Sequence, residues 1–332
     1  MRLILATVLL LAASGASAQT RFGSKTLGVL LVGSSSGPGF ASTVADLRKD
    51  LGTDVPLQEA VGAPNGRDLQ RAISALIAAR VKHIVVVPFY LRSEDPELQQ
   101  TRYLLGIQKF PSQTFVNERH AHLSQSKVKR AVPPKGVALA MTSALETDEA
   151  VSDAILERVR GLGREPEREA VVLVADGPAD LAARSAVRAV VERHARRVRT
   201  TGKYREVKTV VLESAPQSSS DAPPDLSKGA PRMRRDGDPM QELRETVRAL
   251  SRSAKVLVVQ VKLEADGSER GLRRALEGSF CRFEGKPLLP SRELTAWARK
   301  RVSEGFKLPD MVKFRDDGQA PEGAERKRLI LH

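Results

Sequence analysis

The sequence predicts an α/β fold in which two tandem domains each hold a parallel β-sheet with helices on both faces. Short, wholly apolar segments alternate with helical ones, which is the pattern of strands joined by crossover helices. The apolar segments lack the alternation of half-exposed strands, as a parallel sheet buried on both faces requires. The pattern also occurs twice, because GVLLVGSSSGP (28–38) matches AVVLVADGPAD (170–180) and KHIVVVPFYLRSED (82–95) matches KVLVVQVKLEADGS (255–268). An internal duplication of one α/β unit explains both matches.

The first residues have the features of a secretory signal peptide. Arg2 gives a positive start, residues 3–13 are apolar, and Ala16-Ser17-Ala18 has the small residues of a cleavage site. The apolar stretch is shorter than the roughly 20 residues of a membrane span. We therefore expect a signal peptide at 1–18, cleavage after Ala18, a secreted or periplasmic protein, and no membrane span.

The first domain is predicted at residues 25–108 and contains three strands and three helices. The strands are expected at 27–33, 55–61 and 82–91, and the helices at 38–51, 67–80 and 97–105. Pro38 opens the first helix, a position where proline costs no hydrogen bond. In the second helix Leu69, Ile73 and Leu76 share one face, which predicts that this face is buried.

The second domain is predicted at residues 136–305, after a connector at 109–135. Its strands are expected at 137–141, 170–178, 207–213 and 255–263, and its helices at 147–159, 180–197 and 240–253. An insert at about 214–238 is rich in Ser, Pro and Asp, which is typical of a mobile segment. A charged tail at 306–332 contains Gly and Pro and is expected to have little fixed structure.

Composition limits the classes of partner. The chain has 54 Lys and Arg against 40 Asp and Glu, a formal charge of +14, but only 4% aromatic residues. Nucleic-acid-binding surfaces usually combine basic with aromatic side chains, so we expect no nucleic acid and a solvated basic surface, with a polyanionic small ligand as the alternative. Cys281 is the single cysteine, which excludes an intrachain disulfide and a cysteine-rich zinc site. Oligomeric state is left open.

Polar residues follow the predicted strands, where ligands of open parallel sheets bind. The first crevice is expected to be lined by Ser34, Ser35, Ser36, Arg92, Glu94 and Asp95, and the second by Asp176, Glu264 and Asp266.

Serine hydrolysis is one interpretation of this edge. Gly33 to Gly37 fits the pattern G-x-S-x-G at a strand-to-helix turn, which would make Ser35 a nucleophile. The sequence offers no well-placed general base, since His83 lies at the opposite end of its strand, His194 falls late in a charged helix, and His120 and His122 lie in the connector. Phosphate binding is weakly supported too, because the sequence has neither a Walker A motif nor G-x-G-x-x-G, and only the helix amino terminus attracts anions.

Several of these residues are also suited to purely structural roles. Glu94 and Asp95 precede Pro96 and are suited to begin and cap the next helix. His120 and His122 form an H-x-H pair that could bind a metal, although such a pair in a basic connector is more often incidental.

The strands and the turns that follow them resemble the sirohydrochlorin cobaltochelatase/ferrochelatase family, the class II chelatases of tetrapyrrole biosynthesis. The resemblance rests on LLVGSSSGP, IVVVPFYLRSEDPELQQTRYLLG and VVLVADGPAD, and on the segment from Leu257 to Pro290, which is similar to the end of exported two-domain members. It covers about 25–302. It implies two tandem chelatase-like (flavodoxin-like) domains that insert Co²⁺ or Fe²⁺ into an anionic tetrapyrrole.

The departures from that family concern its metal-binding histidines. Ser34, Asp176 and about Glu94 stand where the family has histidine. The resemblance therefore implies catalytic positions at Ser34 and Glu94, substitute metal ligands at Glu94 and Asp176, and ligand-binding positions at Ser35, Ser36, Arg92 and Asp95.

The loss of imidazole matters because metal insertion needs a ligand for the ion and a base for the pyrrole N–H protons. Imidazole does both near neutral pH, whereas serine is a poor ligand and carboxylates favour harder ions. Two hypotheses follow: a chelatase with altered metal chemistry, or a non-catalytic periplasmic protein that binds a tetrapyrrole or metal.

Overall fold

A computed structural model describes residues 26–113, 130–178, 180–213 and 239–315. The predicted signal peptide, His120, His122, the insert at 214–238 and the tail beyond residue 315 lie outside the described residues.

The described chain forms two sheets, each of four parallel strands. The first sheet contains β1 (Leu27–Gly33), β2 (Leu57–Val61), β3 (His83–Phe89) and β4 (Ala138–Met141) in the order β2-β1-β3-β4. The second contains β5 (Glu169–Gly177), β6 (Glu206–Glu213), β7 (Lys255–Gln260) and β8 (Cys281–Phe283) in the order β6-β5-β7-β8. The two orders are the same pattern, so the predicted α/β class with two similar parallel sheets is confirmed.

Helices connect the strands and cover the sheets. They are α1 (Pro38–Leu51), α2 (Gly66–Ala78), α3 (Pro96–Leu104), α4 (Glu149–Leu162), α5 (Leu181–Gly202), α6 (Pro239–Ser251), α7 (Ser268–Ala275) and α8 (Arg292–Gly305), with a short 3₁₀ helix at Pro166–Arg168. Several begin at a side chain that accepts a hydrogen bond from the first turn, for example Asn65 before α2, Asp148 before α4 and Ser291 before α8. The predicted buried face of α2 is confirmed, because Leu69, Ile73 and Leu76 are buried.

Strand β4 corrects one prediction. The sequence placed 137–141 in the second domain, but β4 pairs in parallel with β3, with Ile84 opposite Leu139. Leu139 and Ala140 are fully buried, so burying this apolar strand extends the first sheet. The physical reason is that the chain after α3 returns to the same sheet, a path that no local pattern reveals.

The last helix of each half packs against the other half. Helix α8 contacts β3 and α1, whereas α4 contacts β7 and α5. Trp297 of α8 is 3% exposed and its ring lies 5.4 Å from that of Phe89 on β3. These helices fill one continuous apolar core between the two sheets. Separate cores, formed with α2 and α3 on one side and α6 and α7 on the other, cover the outer faces.

The first residues of the predicted tail lie along β4. The N–H of Met311 donates to the carbonyl of Leu139 at 2.8 Å, and the N–H of Leu139 donates to Asp310 Oδ1 at 3.1 Å. Arg315 donates to the carbonyl of Val137 at 3.0 Å. The outer edge of the first sheet is thereby covered. No helix in the described part of the chain is long and apolar enough to cross a bilayer.

Candidate functional site

The loop after β1 contacts the loop after β7, so the carboxyl ends of the two sheets, where the sequence predicts the crevice, lie next to each other. Glu264, in the loop after β7, accepts a hydrogen bond from the N–H of Phe40 in the first turn of α1. The two glycines before Phe40 allow this approach. A Cβ at Gly37 would overlap the Glu264 carboxylate, and one at Gly39 would lie 2.7 Å from the carbonyl oxygen of Leu289. Gly39 therefore permits close contact with the backbone of the second half, and Gly37 permits the observed position of the Glu264 side chain.

Glu264 is a buried carboxylate at a helix amino terminus. Glu264 is only 8% exposed. Burial raises the pKa of Glu264, and the hydrogen bond from Phe40 offsets part of that rise. The carboxylate thus connects the two halves at the crevice, where the helix dipole favours negative charge.

A lysine lies between two carboxylates on the second-half side of the crevice. The Nζ atom of Lys262 lies 2.8 Å from Asp176 Oδ2, donates to Asp266 and lies 3.3 Å from Ser268 Oγ. Burial lowers the pKa of Lys262, but Asp176 and Asp266 outweigh this and the net shift is upward. Burial raises the pKa of Asp266, but hydrogen bonds from Lys262 and Ser268 make the net shift downward. Lys262 therefore offsets one of the two negative charges of this cluster.

The three serines form the rim on the first-half side. Ser34 and Ser36 are exposed and Ser35 is half-buried. The hydroxyl oxygen of Ser35 accepts a hydrogen bond from the N–H of Gly37 at 3.3 Å. This contact closes a local turn before α1 and leaves a neutral, hydroxyl-lined edge.

Residues 92–95 follow β3, and two of them make local hydrogen bonds with α3. Asp95 is the N-cap of α3 and accepts from the N–H of Glu97 at 2.9 Å. Glu94 is exposed and accepts from Gln99 Nε2 at 3.1 Å. Arg92 is half-buried. Asp95 therefore has the capping role that its position before Pro96 suggested.

Glu94 and Asp176, the two predicted metal ligands, have different partners. Glu94 contacts Gln99, whereas Asp176 contacts Lys262. Across residues 26–113, 130–178, 180–213 and 239–315, no group of three or more His, Cys, Asp or Glu side chains is placed to hold a metal ion. The described residues thus do not fit a preformed site for a transition metal.

Both described histidines are structural. Burial lowers the pKa of His83, which lies at the amino end of β3 against the ring of Phe306. Burial likewise lowers the pKa of His194, whose ring lies 2.8 Å from Ser152 Oγ and 2.7 Å from the carbonyl of Glu146. The carbonyl requires a donor, so neutral His194 donates through Nε2 and accepts from Ser152 through Nδ1.

The Ser152–His194 pair has no access to substrate. Both residues are 2% exposed and they join α4 to α5 inside the molecule. In the described part of the chain neither His83 nor His194 contacts Ser35, so the G-x-S-x-G turn has no histidine base there. Sequence reasoning missed the linking role of His194, for which the helical stripe with Val187, Val191 and Val198 was the available signal.

Lys262 is the site residue that sequence reasoning missed. It follows β7 in the series Lys262, Glu264, Asp266, a charged alternation directly after a buried strand. Charged residues directly after a buried strand are expected at the edge of the sheet, beside the predicted ligand site. Its pairing with Asp176, however, joins residues 86 positions apart and depends on the adjacency of β5 and β7.

Comparison with known proteins gives a likeness of fold. No protein-family model matches the sequence, and no curated protein matches it. The structure is similar to SirB from Bacillus subtilis with Fe³⁺, at 14% identity and a TM-score of 0.55, over 84% of this chain and 95% of that chain. It is also similar to the sirohydrochlorin chelatase SirB from Bacillus subtilis subspecies spizizenii in complex with cobalt, at 13% identity and a TM-score of 0.51, over 84% and 95%.

A third similar structure is larger. It is a multi-domain protein from Deinococcus radiodurans with structural similarity to chelatases and two additional novel domains. The identity is 15% and the TM-score 0.51, over 87% of this chain and 57% of that chain. At such identities the likeness shows the fold, and the chain has a chelatase-like fold.

Proposed function

We propose that this protein binds an anionic tetrapyrrole at the carboxyl ends of the strands, beside the contact between the loops after β1 and β7, and that it does so without inserting a metal. The observation that carries the proposal is the Lys262 ammonium between Asp176 and Asp266. A lysine cation there offsets one of the two carboxylate charges and competes with a divalent ion for both carboxylates.

The chemistry of the rim supports binding over turnover. Metal insertion requires a ligand that holds the ion beside the ring and a base that accepts the pyrrole protons. Ser34 supplies neither, since a hydroxyl is a poor ligand for Co²⁺ or Fe²⁺ and is not a base near neutral pH. Asp176 is engaged with Lys262 at 2.8 Å. Of the positions that the resemblance assigns to the metal, Ser34 is neutral and Asp176 is ion-paired, whereas Glu94 is an exposed carboxylate hydrogen-bonded to Gln99.

The charge of the chain suits a ligand with several carboxylates. The formal charge is +14, and such an excess attracts polyanions over the Debye length. Arg92 is half-buried on the first-half rim, where a guanidinium is suited to pair with a carboxylate. A secreted or periplasmic location, proposed from the signal peptide at 1–18, agrees with a carrier, since tetrapyrrole assembly is normally cytoplasmic.

Metal insertion is the second candidate, and the fold likeness to SirB favours it. In that case Co²⁺ or Fe²⁺ is a substrate, and Glu94 and Asp176 are the proposed oxygen ligands. The ion would have to displace Lys262 from Asp176 and compete with Gln99 for Glu94.

An absorption experiment separates the two candidates. Purified protein is mixed with sirohydrochlorin without oxygen, and Co²⁺ is then added. We expect the protein to shift the sirohydrochlorin spectrum and the metallation rate to equal that of the protein-free control. Metallation faster than the control would establish a chelatase and contradict the carrier. An unchanged sirohydrochlorin spectrum before the metal is added would contradict both proposed functions.

A further inference from the structure

The outer face of the second sheet contains a cavity that is separate from the crevice. Its volume is about 480 Å³, and it lies between α7, β8 and the turn that joins them. The lining residues are Arg270, Arg273, Arg274, Leu276, Glu277, Cys281 and Phe283. A volume of this size is in the range of small-molecule sites, roughly 300–1,000 Å³.

The cavity is lined by three arginines and one carboxylate, that of Glu277, so its lining has an excess of positive charge. Arg273 donates to the carbonyl of Glu284 at 2.9 Å, and its guanidinium lies 5.6 Å from the ring centroid of Phe283. Arg270 and Arg274 are exposed. In the part of the chain that the structure describes, their guanidinium groups make no hydrogen bond or ion pair. The cavity thus presents two uncommitted guanidinium forks beside one that is already held in place.

The floor of the cavity is apolar. Leu276 is 6% exposed and belongs to the core beneath α7, and Phe283 packs against the same core. Phe280, directly before β8, is 88% exposed. A single exposed aromatic side chain is common on protein surfaces, so the apolar part of the site rests on Leu276 and Phe283.

The equivalent place in the first half is filled by the chain itself. There Arg130 lies over the rings of Tyr103 and Phe314, at 4.6 and 5.5 Å, and Ala131 is fully buried against α3. Met311 covers the edge strand β4. In the first half, therefore, an arginine and aromatic rings close the space between the outer helix and the edge strand, whereas no described residue fills that space in the second half.

From this arrangement we propose that the cavity between α7 and β8 binds a small aromatic anion. The guanidinium forks of Arg270 and Arg274 pair with its carboxylate, phosphate or sulfonate group, because guanidinium binds such groups through two parallel hydrogen bonds. The aromatic part lies on Leu276 and Phe283. The proposal is independent of tetrapyrrole binding, since it involves no residue of the crevice.

Cys281 gives a direct readout, because it lines the cavity and is the single cysteine of the chain. Burial raises the pKa of the Cys281 thiol, so alkylation by iodoacetamide is followed by mass spectrometry at about pH 9, where thiolate is available. The probe is anilinonaphthalene sulfonate, and phenylnaphthylamine is its uncharged counterpart. We expect the sulfonate to slow alkylation in a saturable way and the uncharged compound to have little effect.

Variants test the role of the arginines. The double change Arg270→Gln with Arg274→Gln should weaken protection by the sulfonate by at least about tenfold, as expected when charge-assisted hydrogen bonds are lost. Arg67→Gln with Arg71→Gln removes the same charge from exposed positions of α2 and should leave protection unchanged. Absence of protection in the original protein, equal protection by phenylnaphthylamine, or equal protection in the Arg270/Arg274 variant would each overturn the proposal.

Discussion

The two halves have the same strand order but different chemistry at the carboxyl ends of their strands. After β1 the chain continues as the neutral turn Ser34–Gly37, closed by a hydrogen bond to Ser35. After β5 and β7 it presents Asp176, Lys262 and Asp266 in one ion-paired cluster. The apolar runs that form the sheets are alike in the two halves, whereas the loops differ. A shared fold therefore says little about chemistry, which depends on the side chains at the strand ends.

The halves also depend on each other physically. Each gives its last helix to the other, and Glu264 of the second half caps α1 of the first. A crevice built from two rims needs this fixed relation, because a ligand that contacts both rims binds only when they face each other. Three substitutions at the contact between the halves test whether the halves depend on each other.

The largest expected effect follows from Trp297→Ala. Trp297 lies in the shared core and contacts Phe89 across the halves, so the truncation should lower the free energy of unfolding by about 3–5 kcal/mol. Trp297→Phe is the matched control and should cost much less, since the indole Nε1 is buried without a hydrogen-bond partner in the described chain. Urea denaturation followed by circular dichroism measures both.

The same residue reports whether the halves unfold together. Trp297 is the only tryptophan, so its fluorescence follows the shared core while circular dichroism follows both sheets. Coincident transitions are expected for one cooperative unit. Two separate transitions would contradict the interdependence of the halves.

A smaller loss is expected from Gly39→Ala. The new Cβ would lie 2.7 Å from the backbone of Leu289 and 3.0 Å from Glu264 Oε1, and relieving this overlap should cost about 1–3 kcal/mol. Gly271→Ala is the opposite case, because Gly271 lies in α7 with open space around it and alanine there should stabilise by about 0.5–1 kcal/mol. Thermal unfolding of the two variants would show opposite signs, and two shifts of the same sign would mean that the halves do not touch at Gly39.

The smallest effect concerns the pH dependence of stability. Burial raises the pKa of Glu264 in the folded state, so its protonated form stabilises the fold below its ordinary pKa of about 4.5, and this contribution is lost as the pH rises through the folded pKa. Glu264→Gln should remove that loss, so the variant gains stability relative to the original protein as the pH rises above about 4.5. Glu277→Gln, at an exposed position, is the control. A stability difference that is independent of pH would contradict the buried carboxylate.

The sequence predicted the central strands because their signal is local. Leu30, Val86, Val172 and Val258 lie in uninterrupted apolar runs and are almost completely buried. The final elements were not assigned. Helix α7 buries only Leu272 and Ala275, and β8 is three residues long, so neither gives a periodic signal.

Helix α8 did carry a readable signal. Leu294, Trp297, Ala298 and Val302 follow helical spacing and are all buried. Three features could not be predicted from the sequence. They are the packing of α4 and α8 against the opposite half, the position of β4 in the first sheet and the pairing of Lys262 with Asp176. Each depends on which strands become neighbours, and residues far apart in sequence decide that.

Cobalt binding by Lys262→Met tests the central claim most directly. Isothermal titration calorimetry compares the original protein, this variant and Lys255→Met, which removes a lysine that pairs with Glu165 at an exposed position. If the Lys262 ammonium takes the place of a metal ion, Lys262→Met frees Asp176 and Asp266 and should bind Co²⁺ at least about tenfold more tightly than the other two. Equal affinity in all three proteins would show that Lys262 does not stand in for a metal, and the account of a crevice that binds without metal insertion would fail.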